Sequence, residues 1–424
     1  MTGAGQRGPR GLGMRLLARM LERFVQHGTL RVIDTAGRVH EFSGSAEPLV
    51  TIQLHDPALP LKLFRNPELH AGEAYVDGTL TCVDCSLADF LGLFSLNRSA
   101  MASYPLQRVA HRISRTLRAF QQHNPIGRAR RNVAHHYDRP QELYELFLDD
   151  DLQYSCAYFE RPGETLEQAQ MNKKRHLAAK LLLAPGQRVL DIGCGWGGLA
   201  LDLAQRAPVE VLGVTLSVEQ HRVAVERAKA CGLSDRVRFE LCDYREVTGR
   251  FDRIISIGMF EHVGVTRYDE FFGRIFTLLE ENGIALLHSI GHMSPPSTAS
   301  PWLRKYIFPG AYSPSLSEVL AATERQHLWV SDIEVLRVHY ADTLVEWNRR
   351  FQRNRTRIAE LLGERFCRMW EFYLISVETM FRTGAQMVFQ IELARTRDAA
   401  PLIRDPIFER ERLYREADRR RAAS

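Results

Sequence analysis

The sequence predicts an α/β protein in which a doubly wound parallel sheet with helical insertions follows a smaller N-terminal α/β domain. Two observations predict this architecture. Apolar strand-like runs alternate with helical patterns between residues 187 and 291, and shorter apolar runs broken by Gly, Pro and Asp fill residues 29 to 83. Strands and helices that alternate at this spacing form a parallel sheet with helices on both faces. A chain of 424 residues also has room for two or three domains.

The N-terminal region predicts a small mixed domain preceded by a basic helix. Residues 1–13 are rich in Gly and Arg and are expected to be disordered. From Met14 to Val25 apolar residues recur at helical spacing, with arginines between them, so the predicted helix is amphipathic. It either packs on its own domain or lies on a membrane surface. Strands are expected at Thr29–Ile33, Leu49–Leu54 and Leu61–Phe64.

Positive charge is concentrated in one stretch of the chain. The formal net charge is only +5, yet seven arginines and no acidic residue lie between Met101 and Arg131. A basic run without compensating acids favours an anionic partner, either phospholipid head groups or nucleic acid. We interpret residues 99–136 as a basic helical linker.

The sequence lacks the signals of a transmembrane or secreted protein. No apolar run reaches the roughly 18 to 20 residues that a membrane-spanning helix needs. The N-terminus has no continuous apolar segment of a secretory signal, and seven cysteines without a repeating frame suit a reduced cytoplasm. Cys82 and Cys85 form a C-x-x-C pair, but no second pair completes a zinc site, so no metal is expected.

The predicted sheet is organised around the run Gln187 to Leu203, QRVLDIGCGWGGLALDL. Val189 to Ile192 form an apolar strand, four glycines follow, and leucines from Leu199 onward begin a helix. Such a turn lets the backbone approach a ligand closely and offers free N–H groups at a helix N-terminus. We therefore expect a nucleotide-like cofactor. Taken alone, the run could also be an ordinary tight strand-to-helix turn or a nucleotide site of another kind.

The remaining elements of the sheet place several polar residues at strand ends. Further strands are predicted at Val209–Leu216, Val237–Asp243, Phe251–Gly258, Gly283–Gly291 and Gln386–Leu393. Helices are predicted at Val218–Ala230, Tyr268–Glu281, Ala341–Gly363 and Glu364–Phe381. Ligands bind at the carboxyl ends of strands in such sheets. That rule selects Asp191–Gly195, Thr215–Ser217, Asp243-Tyr244, Glu261-His262 and His288–Gly291.

The spacing of the glycines points to one class of cofactor. Asp191 to Gly197 reads D-x-G-x-G-x-G, which differs from the G-x-G-x-x-G of dinucleotide sites. This run resembles motif I of the class I S-adenosylmethionine methyltransferases, and the resemblance implies their Rossmann-like fold.

The strand ends taken together resemble one family closely, the cyclopropane-fatty-acyl-phospholipid synthases with their mycolic acid cyclopropane synthase relatives. The matching motifs are YSCAYF from Tyr154, GVTLS from Gly213, FEHVG from Phe260, YDEFF from Tyr268, YIFPG from Tyr306 and HYADTL from His339. The resemblance implies a lipid-binding-type domain over 14–98, a catalytic domain over 137–395 and a charged tail over 396–424.

The resemblance also implies which residues contact S-adenosylmethionine. Tyr154 and Ser155 would lie over its methionine end, with Gly193 and Gly195 forming the turn against it. The other residues assigned to the cofactor are Asp191, Thr215, Leu216, Gln220, Asp243 and Tyr244. Of these, Thr215, Leu216 and Gln220 stand where many class I enzymes hold the ribose. Asp243 suits the adenine amino group, and Tyr244 either packs on the ring or is a core aromatic.

The reaction implied by the family needs a base. An alkene is a poor nucleophile, so the methyl donor must be held against it with water excluded, and transfer leaves a carbocation. Ring closure then requires loss of one proton from the new methyl group. In the family a bound bicarbonate takes it, and its ligands match Cys156, Glu261, His288, Ile290 and Tyr340. His288, Tyr340 and the backbone N–H groups of Cys156 and Ile290 could donate to the anion, whereas Glu261 could accept its proton.

The resemblance therefore implies methylene transfer to the cis double bond of a phospholipid acyl chain at the inner face of the cytoplasmic membrane, with a homodimer possible. Aromatic faces at Tyr158, Phe260 and Tyr306 would stabilise the cation or belong to the core. A rival enzyme would leave a methyl-branched or methylene chain without a ring. A nucleic-acid methyltransferase lacks its expected Asn/Asp-Pro-Pro-aromatic motif here, and a non-catalytic lipid-binding protein would not need the acidic and histidine residues.

Overall fold

The structure is a computed structural model that describes residues 11–45, 47–103 and 139–423. The described helices are α1 (Leu12–Phe24), α2 (Leu59–Arg65), α3 (Pro67–Val76), α4 (Leu87–Leu96), α5 (Arg98–Ser103), α6 (Gln141–Glu145), α7 (Leu166–Lys180), α8 (Gly198–Arg206), α9 (Val218–Ala230), α10 (Tyr268–Leu278), α11 (Pro301–Tyr306), α12 (Leu316–Arg325), α13 (His339–Arg353), α14 (Arg355–Leu362), α15 (Glu364–Thr383) and α16 (Asp405–Ala423). The described strands are β1 (Thr29–Ile33), β2 (Val39–Ser43), β3 (Leu49–Leu54), β4 (Leu80–Val83), β5 (Arg188–Ile192), β6 (Glu210–Thr215), β7 (Val237–Leu241), β8 (Phe251–Ile257), β9 (Leu279–His292), β10 (Trp329–Val335) and β11 (Gln386–Ala394).

These elements pack into two compact units. The first unit combines the described chain up to residue 103 with residues 298–307 and 352–384. The second unit contains the rest of the described chain. The contiguous domain boundaries drawn from the sequence differ from this division, because 298–307 and 352–384 fall inside the predicted 137–395 domain. Most of the predicted linker 99–136, with its seven arginines, lies outside the described residues.

The first unit is built on a small mixed sheet in the order β2-β1-β3-β4. Strand β1 pairs antiparallel with β2 and parallel with β3, which in turn pairs antiparallel with β4. Helix α15 joins this unit because it packs against α3 and α4. The Tyr75 hydroxyl on α3 donates to Oε2 of Glu371 on α15 at 2.9 Å. Arg368 of α15 donates through Nε to the Tyr75 carbonyl oxygen at 2.7 Å.

Helix α1 packs its apolar face inside the first unit. Leu17, Met20 and Phe24 are buried there, as expected for an apolar stripe at helical spacing. The arginines on the other side of the helix, at positions 15, 19 and 23, are exposed. The sequence left open whether this helix packs on its own domain or lies on a membrane surface. The structure shows that its apolar face packs on its own domain.

The strand predicted at Leu61–Phe64 is wrong, because these residues lie within helix α2. Pro60 stands in the first turn of this helix, where a missing N–H costs nothing, and Leu59 and Leu63 are buried one turn apart. A run of four residues is too short for alternation to distinguish a strand from a single helical turn.

The second unit contains the predicted doubly wound sheet, in the order β10-β11-β9-β8-β5-β6-β7. Strands β9, β8, β5, β6 and β7 are parallel, while β11 runs antiparallel to both of its neighbours. Apolar clusters cover both faces of this sheet. The strand order reverses beside β5, so the crevice at the carboxyl ends of β5 and β8 is the expected ligand site.

The later part of the chain departs from the predictions in three details. The helix predicted at Ala341–Gly363 is divided at Asn354 into α13 and α14. Strand β10 was not predicted, because its residues are exposed or half-buried at the sheet edge and show little apolar alternation. The charged tail predicted at 396–424 contains helix α16, which packs on α7. Asp418 of α16 accepts from Arg175 at 3.2 Å and from Arg206 at 3.0 Å.

Candidate active site

A cavity of about 160 Å³ lies at the carboxyl ends of β5, β6 and β8. All ten residues predicted to contact the cofactor line it, namely Tyr154, Ser155, Asp191, Gly193, Gly195, Thr215, Leu216, Gln220, Asp243 and Tyr244. Their contact with a cofactor stays a prediction, but their convergence on one cavity is a structural fact. None of the five residues predicted to hold bicarbonate is among the residues that line this cavity.

The turn after β5 requires glycine. Gly193 has φ +82°, and a Cβ built on it would lie 2.8 Å from Cβ of Met259. Gly197 has the same φ, and its Cβ would lie 2.9 Å from Cβ of Ala224. The N–H groups of Gly193 and Cys194 both donate to the Val214 carbonyl oxygen, at 2.9 and 3.0 Å. These two N–H groups therefore fix the turn to β6. The sequence predicted free N–H donors at the glycine turn, and these two are not free, because both donate to Val214.

Asp191 ends β5 as a buried carboxylate with spare acceptor capacity. Its side chain is 2% exposed, and Oδ2 has no hydrogen-bond partner among the described residues. Burial raises the pKa of Asp191 to about 7, although nearby Lys173 opposes the rise. An unpaired buried acceptor is costly, so a cationic ligand group in the cavity would be favoured beside Asp191.

The end of β6 orients a side-chain amide toward the same cavity. The Thr215 hydroxyl lies 2.9 Å from Oε1 of Gln220 and donates to it. The backbone N–H of Gln220 in turn lies 3.3 Å from the Ser217 hydroxyl, which caps helix α9. With Oε1 engaged, the amide Nε2 of Gln220 remains as a donor.

Asp243, after β7, is held by the neighbouring arginine. Arg245 donates to Oδ1 through Nε and to Oδ2 through its guanidinium, both at 2.7 Å. The guanidinium also lies 5.4 Å from the centroid of the Tyr244 ring. A carboxylate has about four lone-pair sites, so Asp243 retains capacity for another donor. The sequence interpretation did not include Arg245, since a lone arginine after a strand gives no signal.

Lys173 is a buried cation that the sequence interpretation missed. It is 0% exposed, and its Nζ donates to Oε1 of Gln153 at 2.6 Å and to Oγ of Ser155 at 2.8 Å. Gln153 and Ser155 both line the cavity. Burial lowers the pKa of Lys173 to about 8, and the carboxylates of Asp149 and Asp151 oppose the fall. No sequence signal marked it, because lysines in a helical charge run usually face solvent.

Glu261 and Ile290 are brought into direct contact. Glu261 lies on a single 3-10 turn after β8, and Ile290 lies on β9. The backbone N–H of Ile290 donates to Oε1 of Glu261 at 2.6 Å. That N–H is therefore used within the protein, in contrast to the predicted donation to an anion. Oε2 of Glu261 has no partner among the described residues, and burial raises its pKa to about 7.

His288 lies two residues before Ile290 on β9. The ring is 2% exposed, and its Nδ1 lies 3.3 Å from Nε2 of Gln390 on the adjacent strand β11. Burial lowers the pKa of His288 to about 3, and nearby Lys173 adds to the fall. The imidazole is therefore neutral at physiological pH.

Cys156 and Tyr340 are connected through their neighbours. The backbone N–H of Ala157 donates to Oγ1 of Thr343 at 3.0 Å, one turn after Tyr340 on α13. Burial raises the pKa of the Cys156 thiol, so the thiol stays protonated. The positive charge of Lys173 acts on the pKa of both Cys156 and His288 and lowers each of them. These two buried residues therefore share one nearby cation.

The aromatic groups near the cavity differ from those selected by sequence. Phe260 packs against Tyr268 with ring centroids 4.4 Å apart and is fully buried core. Tyr158 stacks between two histidine rings, and the Tyr306 hydroxyl donates to Glu73 within the first unit. An aromatic cluster joins the cavity to Tyr340. It consists of Tyr154, which the sequence selected, and of four residues that the sequence did not select, Tyr144, Phe147, Trp196 and Trp347.

Comparison with known proteins decides the family. A family model described as mycolic acid cyclopropane synthetase matches residues 125–391, well over half of the chain. The chain belongs to this family. It is an S-adenosylmethionine-dependent methyltransferase, and the predicted resemblance to cyclopropane synthases is confirmed.

Individual members of the mycolic acid cyclopropane synthetase family and their relatives support the assignment. The cyclopropane-fatty-acyl-phospholipid synthase of Escherichia coli is 37% identical over 81% of this chain and 87% of its own. The tuberculostearic acid methyltransferase of Mycobacterium tuberculosis is 34% identical over 92% of this chain and 93% of its own. The crystal structure of mycolic acid cyclopropane synthase CmaA1, complexed with SAH and CTAB, matches with a TM-score of 0.60 and 33% identity. That match covers 64% of this chain and 99% of CmaA1.

These matches confirm the predicted class I methyltransferase fold and S-adenosylmethionine as the cofactor. Among the described residues, no helix combines the length and the apolar character required to cross a membrane.

Proposed function

We propose that this protein transfers a methylene unit from S-adenosylmethionine to the cis double bond of an unsaturated phospholipid acyl chain, closing a cyclopropane ring. The observation that carries the proposal is the pairing of two neighbouring features. One is the cavity lined by all ten predicted cofactor residues. The other is the buried group of Glu261 and His288, together with the Ile290 N–H that holds Glu261, and the residue after Glu261, His262, lines the cavity. The family membership and the similarity to the Escherichia coli phospholipid enzyme support the same reaction.

The cavity has the donors and acceptors that S-adenosylmethionine requires. Oδ2 of Asp191 has no partner among the described residues and suits a cationic amino group, and Nε2 of Gln220 can donate to a ribose hydroxyl because Thr215 engages Oε1. Arg245 does not use all the lone pairs of the Asp243 carboxylate, so Asp243 can also accept a hydrogen bond from the adenine amino group. Tyr244 lines the cavity next to Asp243 and could pack on the adenine ring. When bound, the cofactor supplies an electrophilic methyl group. Tyr154 and Trp196 line the cavity and both pack on Tyr144, so they supply apolar surface that would limit water around that group.

The residues of the buried group fit a small hydrogen-carrying anion. Glu261 keeps one carboxylate oxygen without a partner among the described residues, and an oxygen of this kind repels an anion unless the anion carries a hydrogen toward it. His288 is neutral and can donate from one ring nitrogen, and the Tyr340 hydroxyl can donate as well. Lys173 adds a buried positive charge close to Cys156 and His288. Bicarbonate held here would supply the base that ring closure needs.

The substrate lies in a membrane, so the protein must reach an anionic surface. The predicted basic linker 99–136 is the main candidate for this contact. In helix α1 the apolar face is buried and the three arginines are exposed, which favours an electrostatic contribution over insertion of apolar side chains. We therefore propose peripheral association with the inner face of the cytoplasmic membrane. A homodimer stays a prediction.

A second product is favoured by one observation. The tuberculostearic acid methyltransferase matches 92% of this chain at 34% identity. The Escherichia coli synthase matches 81% of it at 37% identity. An enzyme of this kind would leave a methyl-branched or methylene chain. The presence of Cys156, Glu261, His288, Ile290 and Tyr340 together favours ring closure over a saturated methyl branch, because ring closure removes a proton from the transferred methyl group and the branch keeps it. A methylene chain also loses that proton, so analysis of the lipid product has to separate it from the ring.

The proposal is tested with purified full-length protein, methyl-labelled S-adenosylmethionine and vesicles of a monounsaturated phospholipid. Vesicles of the fully saturated phospholipid are the matched control. We expect label in the acyl chains of the unsaturated lipid alone, eluting with a cyclopropane standard. Label in a chain that still reacts as an alkene would support the methylene product, and no label in lipid would overturn the proposal.

A further inference from the structure

Three buried side chains form a line of contacts from Lys180 on α7 through Gln390 on β11 to His288 on β9. Nζ of Lys180 lies 2.8 Å from Oε1 of Gln390, and Nε2 of Gln390 lies 3.3 Å from Nδ1 of His288. Lys180, Gln390 and His288 are 4%, 1% and 2% exposed. Water therefore does not compete for these contacts, and the direction of each hydrogen bond follows from the chemistry of the groups.

The lysine determines which way the Gln390 amide is turned. An ammonium group has three donors and no acceptor, so the amide atom facing Lys180 must be the carbonyl oxygen. The NH₂ end of the same amide then faces His288. An amide nitrogen only donates, so Nδ1 of His288 must accept. In a neutral imidazole that accepts at Nδ1, the proton resides on Nε2.

The position of Lys180 is itself fixed. Its Nζ lies 2.5 Å from Oε2 of Glu334 on β10, and Nε2 of His176 lies 2.7 Å from the same oxygen. Burial alone would raise the pKa of Glu334, but the hydrogen bonds and charges of His176 and Lys180 hold it at about 2. The carboxylate is therefore ionised and anchors the lysine with its donors aimed at Gln390.

We propose that Gln390 and Lys180 are positioning residues that hold His288 as the tautomer protonated at Nε2. This inference rests on the proposed function, in which His288 donates to an anion. Only the Nε2–H tautomer leaves a donor on the side of the ring that is turned away from Gln390. The protein sets this tautomer before any ligand binds, so no proton has to move within the ring when the anion arrives.

The isosteric variant Gln390→Glu separates this role from simple packing. A carboxylate has no hydrogen, so one oxygen accepts from Lys180 and the other can only accept from His288. The ring proton then moves to Nδ1. Removing a hydrogen bond to a charged group costs about 10- to 100-fold in rate. We expect a loss of that size in product formation, with unchanged affinity for S-adenosylmethionine, since Gln390 does not line the cofactor cavity.

The tautomer is read directly by ¹⁵N NMR of full-length protein labelled at histidine, with His288→Asn identifying the resonances. We expect protonated Nε2 in the wild type, protonated Nδ1 in Gln390→Glu, and the wild-type pattern in the control Gln326→Glu. If Gln390→Glu fails to fold, Lys180→Met frees the amide to rotate and should populate both tautomers.

The outcomes separate this inference from the proposed function. Protonated Nδ1 in a wild-type protein that makes cyclopropane lipid would overturn the tautomer assignment alone. An unchanged ring in both Gln390→Glu and Lys180→Met would overturn it too. The predicted ¹⁵N patterns in a protein that modifies no lipid would leave the assignment standing and overturn the proposed function.

Discussion

The backbone N–H of Ile290 donates to Oε1 of Glu261 at 2.6 Å, and this bond joins strand β9 to the turn after β8. The bond fixes one oxygen of the buried Glu261 carboxylate. The second oxygen has no partner among the described residues. A carboxylate held in this way is oriented by the backbone and retains an acceptor for a ligand.

Replacing Glu261 with Gln keeps the side-chain shape and the acceptor for the Ile290 N–H but removes the charge. We expect product formation to fall by about 10²-fold or more, the range for loss of an acid–base group. Affinity for S-adenosylmethionine should not change, because Glu261 does not line the cofactor cavity. Turnover is measured with labelled cofactor and binding by calorimetry. Glu270→Gln, on the half-buried surface of α10, is the control, and a Glu261→Gln protein of near wild-type turnover would contradict the assignment.

Because Asp191 is buried, we expect it to make the free energy of unfolding depend on pH. Burial raises its pKa from the ordinary value of 3.8 to about 7. The folded state therefore binds this proton more tightly than the unfolded state, and stability is lost as pH rises from about 4 through about 7. Asp191→Asn should escape this loss and exceed the wild type at pH 8 by roughly 1 to 3 kcal/mol, with the advantage disappearing near pH 4.

Urea unfolding at pH 4, 5, 6, 7 and 8 in the absence of cofactor measures the difference. The exposed Asp235→Asn should follow the wild type throughout. A constant difference between Asp191→Asn and wild type across this range would show that the carboxyl group does not titrate as its burial predicts. The same variant should bind S-adenosylmethionine more weakly, since a stabilising substitution at a functional residue commonly costs function.

Much of this site follows from the sequence, because its parts are local. The glycine turn and the strand ends are short segments whose chemistry and spacing determine their place, and all ten residues predicted to contact the cofactor line one cavity. Lys173, Arg245 and Gln390 could not be predicted in the same way. The importance of Lys173 and Gln390 comes from burial and from partners further along the chain, such as His288, 102 residues from Gln390. The importance of Arg245 comes from its contact with Asp243, which a lone arginine after a strand does not signal. The division into two units was also not predicted, since residues 298–307 and 352–384 join the first unit although they lie far from it in the sequence.

Removing Lys173 should weaken cofactor binding. Lys173→Met eliminates the donors to Gln153 and Ser155, both of which line the cavity, and removes the charge that opposes the raised pKa of Asp191. The loss of about one hydrogen bond to a charged group predicts a roughly 10-fold higher Kd for S-adenosylmethionine. Calorimetry measures the Kd, with the exposed Lys229→Met as the control. Equal Kd values for the Lys173→Met protein and the wild type would exclude this role.

Membrane association should depend on the basic linker. Reversing the charge of Arg108, Arg112 and Arg115 with Glu should weaken binding to anionic vesicles, at about 1 kcal/mol for each arginine near the surface. The effect should fade at high salt, because the interaction is electrostatic. Affinity for S-adenosylmethionine should be unchanged. Sedimentation with vesicles of anionic phospholipid measures the bound fraction.

The matched control for the linker reverses three exposed arginines elsewhere, at positions 161, 412 and 419. It changes the net charge by the same amount. Equal sedimentation of the linker variant and the wild type would refute the docking role, and equal weakening in both variants would reduce it to an effect of net charge.

The central claim is ring closure on a phospholipid acyl chain, and the lipid composition of a host without cyclopropane lipids of its own tests it most directly. Expression of the wild-type protein should produce acyl chains that elute with a cyclopropane standard and no longer react as alkenes, whereas Glu261→Gln should produce none. Methyl-branched or methylene chains in place of the ring, or unmodified lipid from a folded protein that binds S-adenosylmethionine, would contradict the claim.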